Sequence, residues 1–418
     1  MVSLQKIRCL IKGDLFCLLV IHLLGSRIMI FNKYIGGIIC VFTVILMLKN
    51  FFRNKHPIHL PSGMKSMVIA YLVLDVFCVI IQSYFRGKPQ WGGEWLNFMT
   101  YHFVASTAYL AFLLPFIVCY DYRKFNLSFL CKYGGGVAAI FICYFLISYR
   151  DIINASLGLN EDTFFDGENF PDLFNSCSFL LLLTPYIKEK KKLLPIFILG
   201  LATLFTTIIF ARRGSSLSIV LVLISSFLLY IKKISAFQKA ISILFVGILL
   251  LFGFSRISSS NIMDNLKEKG MYDSRSEVSE YFENDMLKSS DLYFGRGMNG
   301  QYYCPQIYQT KDGIVSVKYR YVIETGFYHL ILKGGLIFAI LHVLILAISA
   351  LKGLFFSKNN ILKAFSLWII LSLWELYPFG WPSFSIKFLL IWIGVCLCNN
   401  KSFLKMNDTQ ICEQLKIS

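Results

Sequence analysis

Long blocks of apolar residues, separated by short polar segments, run through most of this 418-residue chain. Blocks such as 194–210, 217–231 and 240–254 contain no acidic or basic residue. A helix that crosses a hydrocarbon core about 30 Å thick needs roughly 20 mostly apolar residues. These blocks are apolar on every side, whereas the core-facing helices of a soluble protein are usually amphipathic. The pattern therefore predicts an all-α, polytopic membrane protein.

We predict about twelve membrane-spanning helices from these blocks. They fall at 13–29, 34–49, 66–85, 99–120, 133–149, 173–187, 193–211, 215–231, 238–255, 323–350, 361–379 and 383–399. The first nine spans then lie within 1–255 and are followed by a large loop, 256–322. The last three spans lie within 323–399, and a tail covers 400–418. The start resembles a signal peptide, but no clear cleavage site follows Leu24, so we expect the first span to be retained.

The charge pattern predicts which side of the membrane each loop occupies. The formal net charge is +17, and the run 188–192 is typical of the basic segments that connect alternate spans. Lys and Arg favour cytoplasmic loops, so both termini are predicted inside and the loop 256–322 outside. Membrane topology explains the basic balance without nucleic acid. The twelve Cys lie mostly in apolar blocks, and His56 and His59 have no third ligand nearby, so we predict no disulfide framework and no metal site.

Arg212 and Arg213 lie between two closely spaced spans on the predicted outer side. Arginine there opposes the usual charge distribution and is costly within hydrocarbon. Its planar fork of donors matches two phosphate oxygens at once. The pair therefore indicates a phosphate site, or alternatively a turn whose arginines reach lipid headgroups.

The large loop contains a predicted amphipathic helix over 275–289. Ser274 and Glu277 have the spacing of a capping box. One apolar face follows at helical spacing, formed by Val278, Tyr281, Phe282 and Met286 and interrupted by Asp285. Arg275 would lie in the first turn, where a cation is unfavourable for the helix dipole but would help the backbone N–H groups to bind an anion. A solvated surface arginine is the alternative.

Further candidates lie near the point where the loop returns to the membrane. Arg296 stands in the glycine-rich segment 293–300, which is either a binding loop or a plain turn. If a helix begins by Arg320, then Arg320 and Glu324 form an i, i+4 pair. His329 would face away from Glu324, about 140° around that helix. Glu375 lies inside a predicted span, where an ionisable residue is a functional candidate.

Taken in order, these segments resemble the O-antigen polymerase and ligase superfamily. The resemblance rests on the topology, the turn at Arg212 and Arg213, the segment from Arg275 to Gly297, and the entry from Glu324 to Gly335. It covers about 210–350 in motif order and the N-terminal half only in topology. Many relatives carry His-Asn at the entry where this chain has Glu324 and Thr325.

The resemblance implies a GT-C-like helical fold and a polysaccharide repeat-unit polymerase without a cofactor. Such an enzyme transfers glycan from undecaprenyl diphosphate to a lipid-linked acceptor sugar at the outer face of the cytoplasmic membrane. Glu324 is the expected general base, with Arg213 and Arg275 also catalytic. Binding of the substrate and its diphosphate is expected from Arg212, Arg296, Arg320, His329 and Glu375. The expected partners are the lipid-linked oligosaccharide, membrane lipid, and chain-length regulator and flippase proteins.

Two other functions stay open on the sequence. One is a ligase of the same superfamily, which joins finished glycan to a lipid core or protein. The other is a lipid-linked oligosaccharide flippase or other transporter. Transporters often show inverted repeats and broken helices, and no repeat is evident here, but Asp75 in the middle of a predicted span favours transport.

Overall fold

The computed structural model describes residues 15–52, 60–82, 109–119, 127–156, 169–187, 191, 193–209, 213–230, 274–310, 313–377 and 382–417. These residues are mostly helical. The described α-helices, in chain order, are α1 Leu15–Phe31, α2 Lys33–Phe52, α3 Ser62–Leu74, α4 Leu127–Ser156, α5 Asn169–Cys177, α6 Phe179–Leu182, α7 Leu194–Ile209, α8 Arg213–Tyr230, α9 Ser274–Met286, α10 Asp291–Phe294, α11 Gly326–Phe356, α12 Asn360–Glu375, α13 Ile386–Cys398, α14 Lys401–Lys405 and α15 Asp408–Gln414. A π-helix, Asp75–Ile81, continues α3, and a 3-10 helix covers Tyr109–Cys119.

Three of these helices are long and apolar enough to cross a membrane. They cover Tyr34–Phe51, Ser62–Val79 and Gly326–Phe356. Shorter apolar helices occur at Leu15–Ser26, Tyr133–Ile147, Leu194–Thr207, Gly214–Leu229 and Ile386–Cys398. The prediction of apolar helices that could span a membrane is thus confirmed, whereas the count of twelve stays a prediction. The predicted span 238–255 lies outside the described residues.

The outward face of α2 is apolar. Ile35, Ile38, Phe42 and Ile45 are each more than half exposed and recur every three or four residues. An exposed apolar stripe of this kind marks an interaction surface, and on a helix of this length it fits lipid.

The chain divides into two compact units. The first combines Met1–Leu127 with Arg275–Lys416, and the second combines Ser128–Ser274 with Ile417–Ser418. In the first unit, α13 is buried along its whole length except at Lys387, and α11 and α12 pack against it. In the second unit, α7 and α8 pack together, and the Ser216 hydroxyl donates to Thr207 Oγ1 at 2.9 Å.

Asparagine side chains cap three of the four described helices that follow α11. The side-chain oxygens of Asn359, Asn400 and Asn407 accept hydrogen bonds from backbone N–H groups two or three residues ahead, at α12, α14 and α15 respectively. Such caps satisfy N–H groups that have no partner inside the helix. The predicted tail 400–418 therefore contains two short folded helices.

The large loop contains a strand pair that the sequence pattern did not predict. β1 Tyr302–Thr310 and β2 Gly313–Arg320 pair antiparallel, with Tyr303 opposite Tyr319. The predicted amphipathic helix is confirmed as α9, which ends at Met286. The all-α prediction was therefore incomplete for this loop, where the pairing of β1 with β2 is irregular, with a register shift between Tyr303 and Gln306.

Candidate functional site

Three irregular backbone segments meet in the first unit. They are the π-helix Asp75–Ile81, the glycine-rich loop 295–300, and an interruption of α11 at Gly335, where φ is 85° and ψ is 171°. π-helical segments and helix breaks often mark functional sites, because they free backbone groups for other partners. This junction is our candidate site.

The glycine-rich loop forms hydrogen bonds at the break in α11. The N–H of Arg296 donates to the Leu332 carbonyl at 2.7 Å, and the N–H of Gly297 donates to the Lys333 carbonyl at 3.0 Å. A helix break deprives the preceding carbonyls of their helical donors, and buried carbonyls need a replacement. The loop supplies that replacement, so it takes the place of part of the helix ladder.

Glycine is required where the loop and the break approach each other. A Cβ on Gly295 would lie 2.6 Å from both the Gly335 nitrogen and the Lys333 oxygen. Gly295 and Gly335 also have positive φ values, which other residues rarely adopt. Close backbone packing against α11 thus explains Gly295, whereas Gly297 has a positive φ and a Cβ on Gly300 would meet Arg296 within the loop.

The loop also contacts the π-helix. The N–H of Met298 donates to the Val79 carbonyl at 3.2 Å. A π-helix bonds i to i+5, so one carbonyl per insertion becomes available to an outside donor. This contact connects α3 to the loop and, through the loop, to α11.

Lys333 joins the same segments from inside α11. Its side chain is buried, and Nζ donates to the carbonyls of Met298, Gly300 and Tyr321 at 2.9, 3.0 and 2.6 Å. An ammonium group has three donors, and three carbonyls accept them here. Lys333 therefore secures both the glycine-rich loop and the segment after β2 to α11.

Arg296 lies between two carboxylates of the loop. Its Nη1 is 2.6 Å from Asp285 Oδ2, and its Nε is 3.0 Å from Asp291 Oδ2. Burial acts to raise the pKa of Asp285, but hydrogen bonds from Arg296 and from the Tyr303 N–H outweigh burial, so the net pKa lies below its usual value of 3.8. Burial likewise acts to lower the pKa of Arg296, and its bonds with Asp285 and Asp291 raise it overall. Asp285 interrupts the apolar face of α9 because it receives this arginine.

We expect the replacement Arg296→Gln to loosen the docked loop by about 1.5–3 kcal/mol, the range for hydrogen bonds to charged groups. Amide hydrogen exchange of residues 285–303 should become faster. The control Lys288→Gln changes an exposed cation on the same segment and should leave exchange unchanged. Equal exchange in wild type and the Arg296 variant would contradict this role.

The lowered pKa of Asp285 predicts a pH dependence. A carboxyl group with a depressed folded-state pKa contributes stability above its unfolded pKa, and that contribution is lost as the pH falls through the folded value. We therefore expect the loop to be stable above about pH 4 and to loosen below pH 3.8. Amide hydrogen exchange of the loop, corrected for the pH dependence of intrinsic exchange rates, measures this loosening. The replacement Asp285→Asn should remove the acid-sensitive step.

The inner side of α9 packs against the start of α11. Val278, Phe282 and Met286 are buried. The Phe282 ring stacks on Tyr328 with centroids 4.9 Å apart, and the Tyr328 hydroxyl donates to Glu283. The stripe that predicted the helix thus forms its contact with the membrane-entry segment.

The outer side of the strand pair presents tyrosines. Tyr303 contacts Tyr281 and Tyr319 edge to face, with centroids 6.4 and 5.7 Å apart. Tyr303 and Tyr319 are about half exposed. A tyrosine ring offers an apolar face and a polar tip, so this row can bind a ligand that is both apolar and hydroxylated.

Arg320 and Glu324, the predicted entry residues, do not form an i, i+4 helical pair. α11 begins at Gly326, Arg320 ends β2, and Glu324 is exposed in the segment between them. The expectation of a helix beginning by Arg320 was therefore wrong, because this residue is held in the strand ladder opposite Tyr302. His329 is buried in the first turns of α11, where its ring hydrogen-bonds the Ile323 backbone.

Glu375 forms a buried ion pair with Lys387 at the start of α13. The Phe327 N–H donates to the neighbouring Leu376 carbonyl at 3.0 Å, so this ion pair lies at the same end of the unit as the entry to α11. The ion pair gives Glu375 a structural role, and its role in substrate binding stays a prediction.

We expect Glu375→Gln to destabilise the unit by about 1–3 kcal/mol. The glutamine retains an acceptor for Lys387, so the cost is lower than the 3–5 kcal/mol typical of removing one partner of a buried pair. Glu375→Met combined with Lys387→Met should restore stability, as measured by thermal unfolding in detergent. If the double variant is less stable than the single one, the pair is more than a local stabilising contact.

The remaining predicted residues are described by their backbone or lie outside the described residues. Arg275 is the second residue of α9, as predicted, and Arg213 begins α8 in the second unit. Arg212 lies outside the described residues. Within the first unit, Glu324 lies two residues before α11, His329 lies in the first turns of that helix, and the backbone N–H of Arg296 bonds to its Leu332 carbonyl.

Lys333 is the residue that sequence reasoning missed. It stands alone in an apolar block, directly before Gly334 and Gly335, and a lone lysine at that place in a span was a usable signal. Its partners are backbone carbonyls, which no side-chain pattern reveals. Among the described residues, no group of three or more His, Cys, Asp or Glu could hold a metal ion.

Comparison of this chain with protein-family models, with curated proteins and with solved structures finds no match. Function is therefore inferred from the residues and their arrangement.

Proposed function

We propose that this chain is a polysaccharide repeat-unit polymerase of the cytoplasmic membrane, in the manner of the O-antigen polymerases that it resembles. The observation that carries the proposal is the folded segment 274–322, which is docked onto the entry of a helix long enough to cross a membrane and presents Arg320 and Glu324 beside that entry. A lipid-linked substrate needs such an arrangement, because its lipid stays in the bilayer while its sugars react in water.

The chemistry is glycosyl transfer. An acceptor sugar hydroxyl attacks the anomeric carbon of the donor glycan, a new carbon–oxygen bond forms, and the bond to the diphosphate oxygen breaks. Glu324 would take the hydroxyl proton as general base. The negative charge that develops on the undecaprenyl diphosphate leaving group requires fixed cations, for which Arg275 and Arg320 of the first unit are the candidates. Arg213 is a candidate from the sequence alone.

Arg296 is a weaker candidate for direct contact with the diphosphate. Asp285 and Asp291 already neutralise it, and a phosphate would have to displace one of them. Its proposed role is to hold the loop in which Arg275 and Arg320 are placed. The tyrosine row of Tyr281, Tyr303 and Tyr319 supports a glycan ligand, since sugar C–H faces stack on aromatic rings while hydroxyl groups bond to their tips.

The test is polymer length in cells that depend on this chain. Arg213→Ala, Arg275→Ala and Glu324→Gln should each reduce long glycan by at least about tenfold, a loss of roughly 1.4 kcal/mol of transition-state stabilisation, and leave single repeat units. Lys288→Ala, an exposed cation on the loop, is the matched control and should retain full length. Normal polymer length in both arginine variants, at normal protein level in the membrane, would overturn the proposal.

A ligase of the same superfamily would give a different product pattern. Loss of a ligase leaves long polymer on the lipid carrier and unattached, whereas loss of a polymerase leaves single repeats attached. The same gel separates the two outcomes.

A transporter is the second candidate, and the break in α11 is the observation that favours it. Secondary transporters often place their substrate beside discontinuous helices, and α11 is discontinuous at Gly335. Reconstitution with a labelled lipid-linked oligosaccharide distinguishes the two functions. Transport moves the label between leaflets without lengthening the glycan, and polymerisation lengthens it.

A further inference from the structure

A cluster of polar side chains lies in the apolar interior of the first unit, apart from the loop and its arginines. Tyr71 on α3, Asp75 at the start of the π-helix and His342 on α11 are all buried, with exposed fractions of 4%, 7% and 2%. Both helical segments are among the three that could cross a membrane. Polar groups at such positions are costly and are usually tied to function.

Tyr71 connects the cluster. Its hydroxyl lies 3.1 Å from His342 Nδ1. Asp75 follows one helical turn later, and its backbone N–H bonds to the Tyr71 carbonyl, so the two residues lie on the same side of the helix. Phe338 stacks on the Tyr71 ring at 4.7 Å between centroids, and Trp392 lies at 5.5 Å. These rings surround the polar groups with apolar surface.

His342 has a further nitrogen that is buried and has no partner in the described part of the chain. This atom is Nε2. A neutral imidazole has one donor and one acceptor nitrogen, and a protonated imidazole has two donors. A purely structural Tyr–His hydrogen bond would account for Nδ1 but leaves Nε2 and the Asp75 carboxyl without a purpose.

We infer that Tyr71, Asp75 and His342 form an intramembrane proton-binding site. The site holds one exchangeable proton between the Asp75 carboxyl and the His342 imidazole. The proton resides either on Asp75, with both ends neutral, or on His342, with Asp75 as the opposite charge. No other atom is gained or lost, and the Tyr71 hydroxyl contacts the His342 end. This inference does not depend on the polymerase proposal, and it would hold for an enzyme or a transporter.

The other titratable groups of the surrounding elements either have polar partners of their own or are thiols, which are neutral. They are Cys78 on the π-helix beside Asp75, Cys119 on the 3-10 helix, Lys333 and His329 on α11, Glu375 at the end of α12, and Lys387, Cys396 and Cys398 on α13. Lys333 is bound to three carbonyls, and Glu375 is paired with Lys387. The exchangeable proton therefore belongs to the three residues of the cluster.

The experiment counts protons taken up by the full chain in lipid nanodiscs after an acid step, using a pH-indicator dye. Asp75→Asn should remove one uptake step, and His342→Gln should shift the midpoint of that same step, because the Asp75 carboxyl can still accept the proton. The double variant should lose no more uptake than Asp75→Asn alone, because both residues hold one shared proton. Tyr71→Phe should retain the uptake but change its midpoint.

The matched control is His22→Gln. His22 is also buried with an unpartnered Nε2 among the described residues, but its Nδ1 bonds to Thr43, and no carboxylate takes part in that contact. This variant should keep the full uptake step. Losses that add up in the double variant, or uptake unchanged in both single variants, would overturn the inference. A carboxylic-acid infrared band that Asp75→Asn removes and His342→Gln shifts provides a second readout, and its absence from the folded wild type at every pH would also overturn it.

Discussion

Replacing Gly335 with alanine should detach the glycine-rich loop from α11 and produce the largest loss of stability of any single change considered. The backbone at Gly335, with φ 85° and ψ 171°, lies in a region that is nearly confined to glycine and costs another residue roughly 1–3 kcal/mol. In addition, the new Cβ would overlap the Tyr293 carbonyl, which is backbone and cannot rotate away. The N–H groups of Arg296 and Gly297 would then lose their acceptors. Thermal unfolding in detergent and protease cleavage within 285–305 measure the effect.

Gly63→Ala is the control for Gly335→Ala. Gly63 also lies in a helix of the same unit, and a Cβ there meets nothing within 4 Å. Alanine at that position should leave the melting temperature unchanged or raise it slightly, because alanine is the better helix former. Equal melting temperatures for the two variants would show that the break at Gly335 is not required for the fold.

Replacing Lys333 with methionine should have the second largest effect. Methionine has nearly the same length but no donors, so the carbonyls of Met298, Gly300 and Tyr321 would lose their partner together. Each buried carbonyl left unsatisfied costs about 1–3 kcal/mol, which is partly offset because no charge is then buried. We expect slower assembly of the folded loop and rapid hydrogen exchange of residues 298–303 and 321–323.

The matched control for Lys333→Met is Lys352→Met on the same helix. Lys352 Nζ bonds to one side-chain oxygen, that of Asn399, at 3.0 Å. Its loss should leave exchange in the loop unchanged. If the loop is equally protected from hydrogen exchange in both variants, Lys333 does not hold the loop in place.

Much of the local structure could be predicted from single stretches of sequence. The helix α9 was predicted from the stripe of Val278, Tyr281, Phe282 and Met286, of which Val278, Phe282 and Met286 are buried and Tyr281 is only partly buried. The strand pair could not be predicted, since its register and its packing depend on contacts with Phe282 and Asp285 that lie far away in the chain. The same limit applies to Arg296, whose carboxylate partners, Asp285 and Asp291, follow no spacing rule.

The sequence by itself determined that this protein has helices apolar enough for a membrane, because hydrophobic block length is a property of contiguous residues. It also identified the segments that carry charge near the entry of α11. Only the tertiary structure decided what those charges contact. It paired Glu375 with Lys387 and Arg296 with two aspartates, and it placed Lys333 under the glycine-rich loop. The physical reason is that hydrogen bonds and ion pairs join atoms that are close in space, and the approach of two glycines, Gly295 and Gly335, brought these segments together.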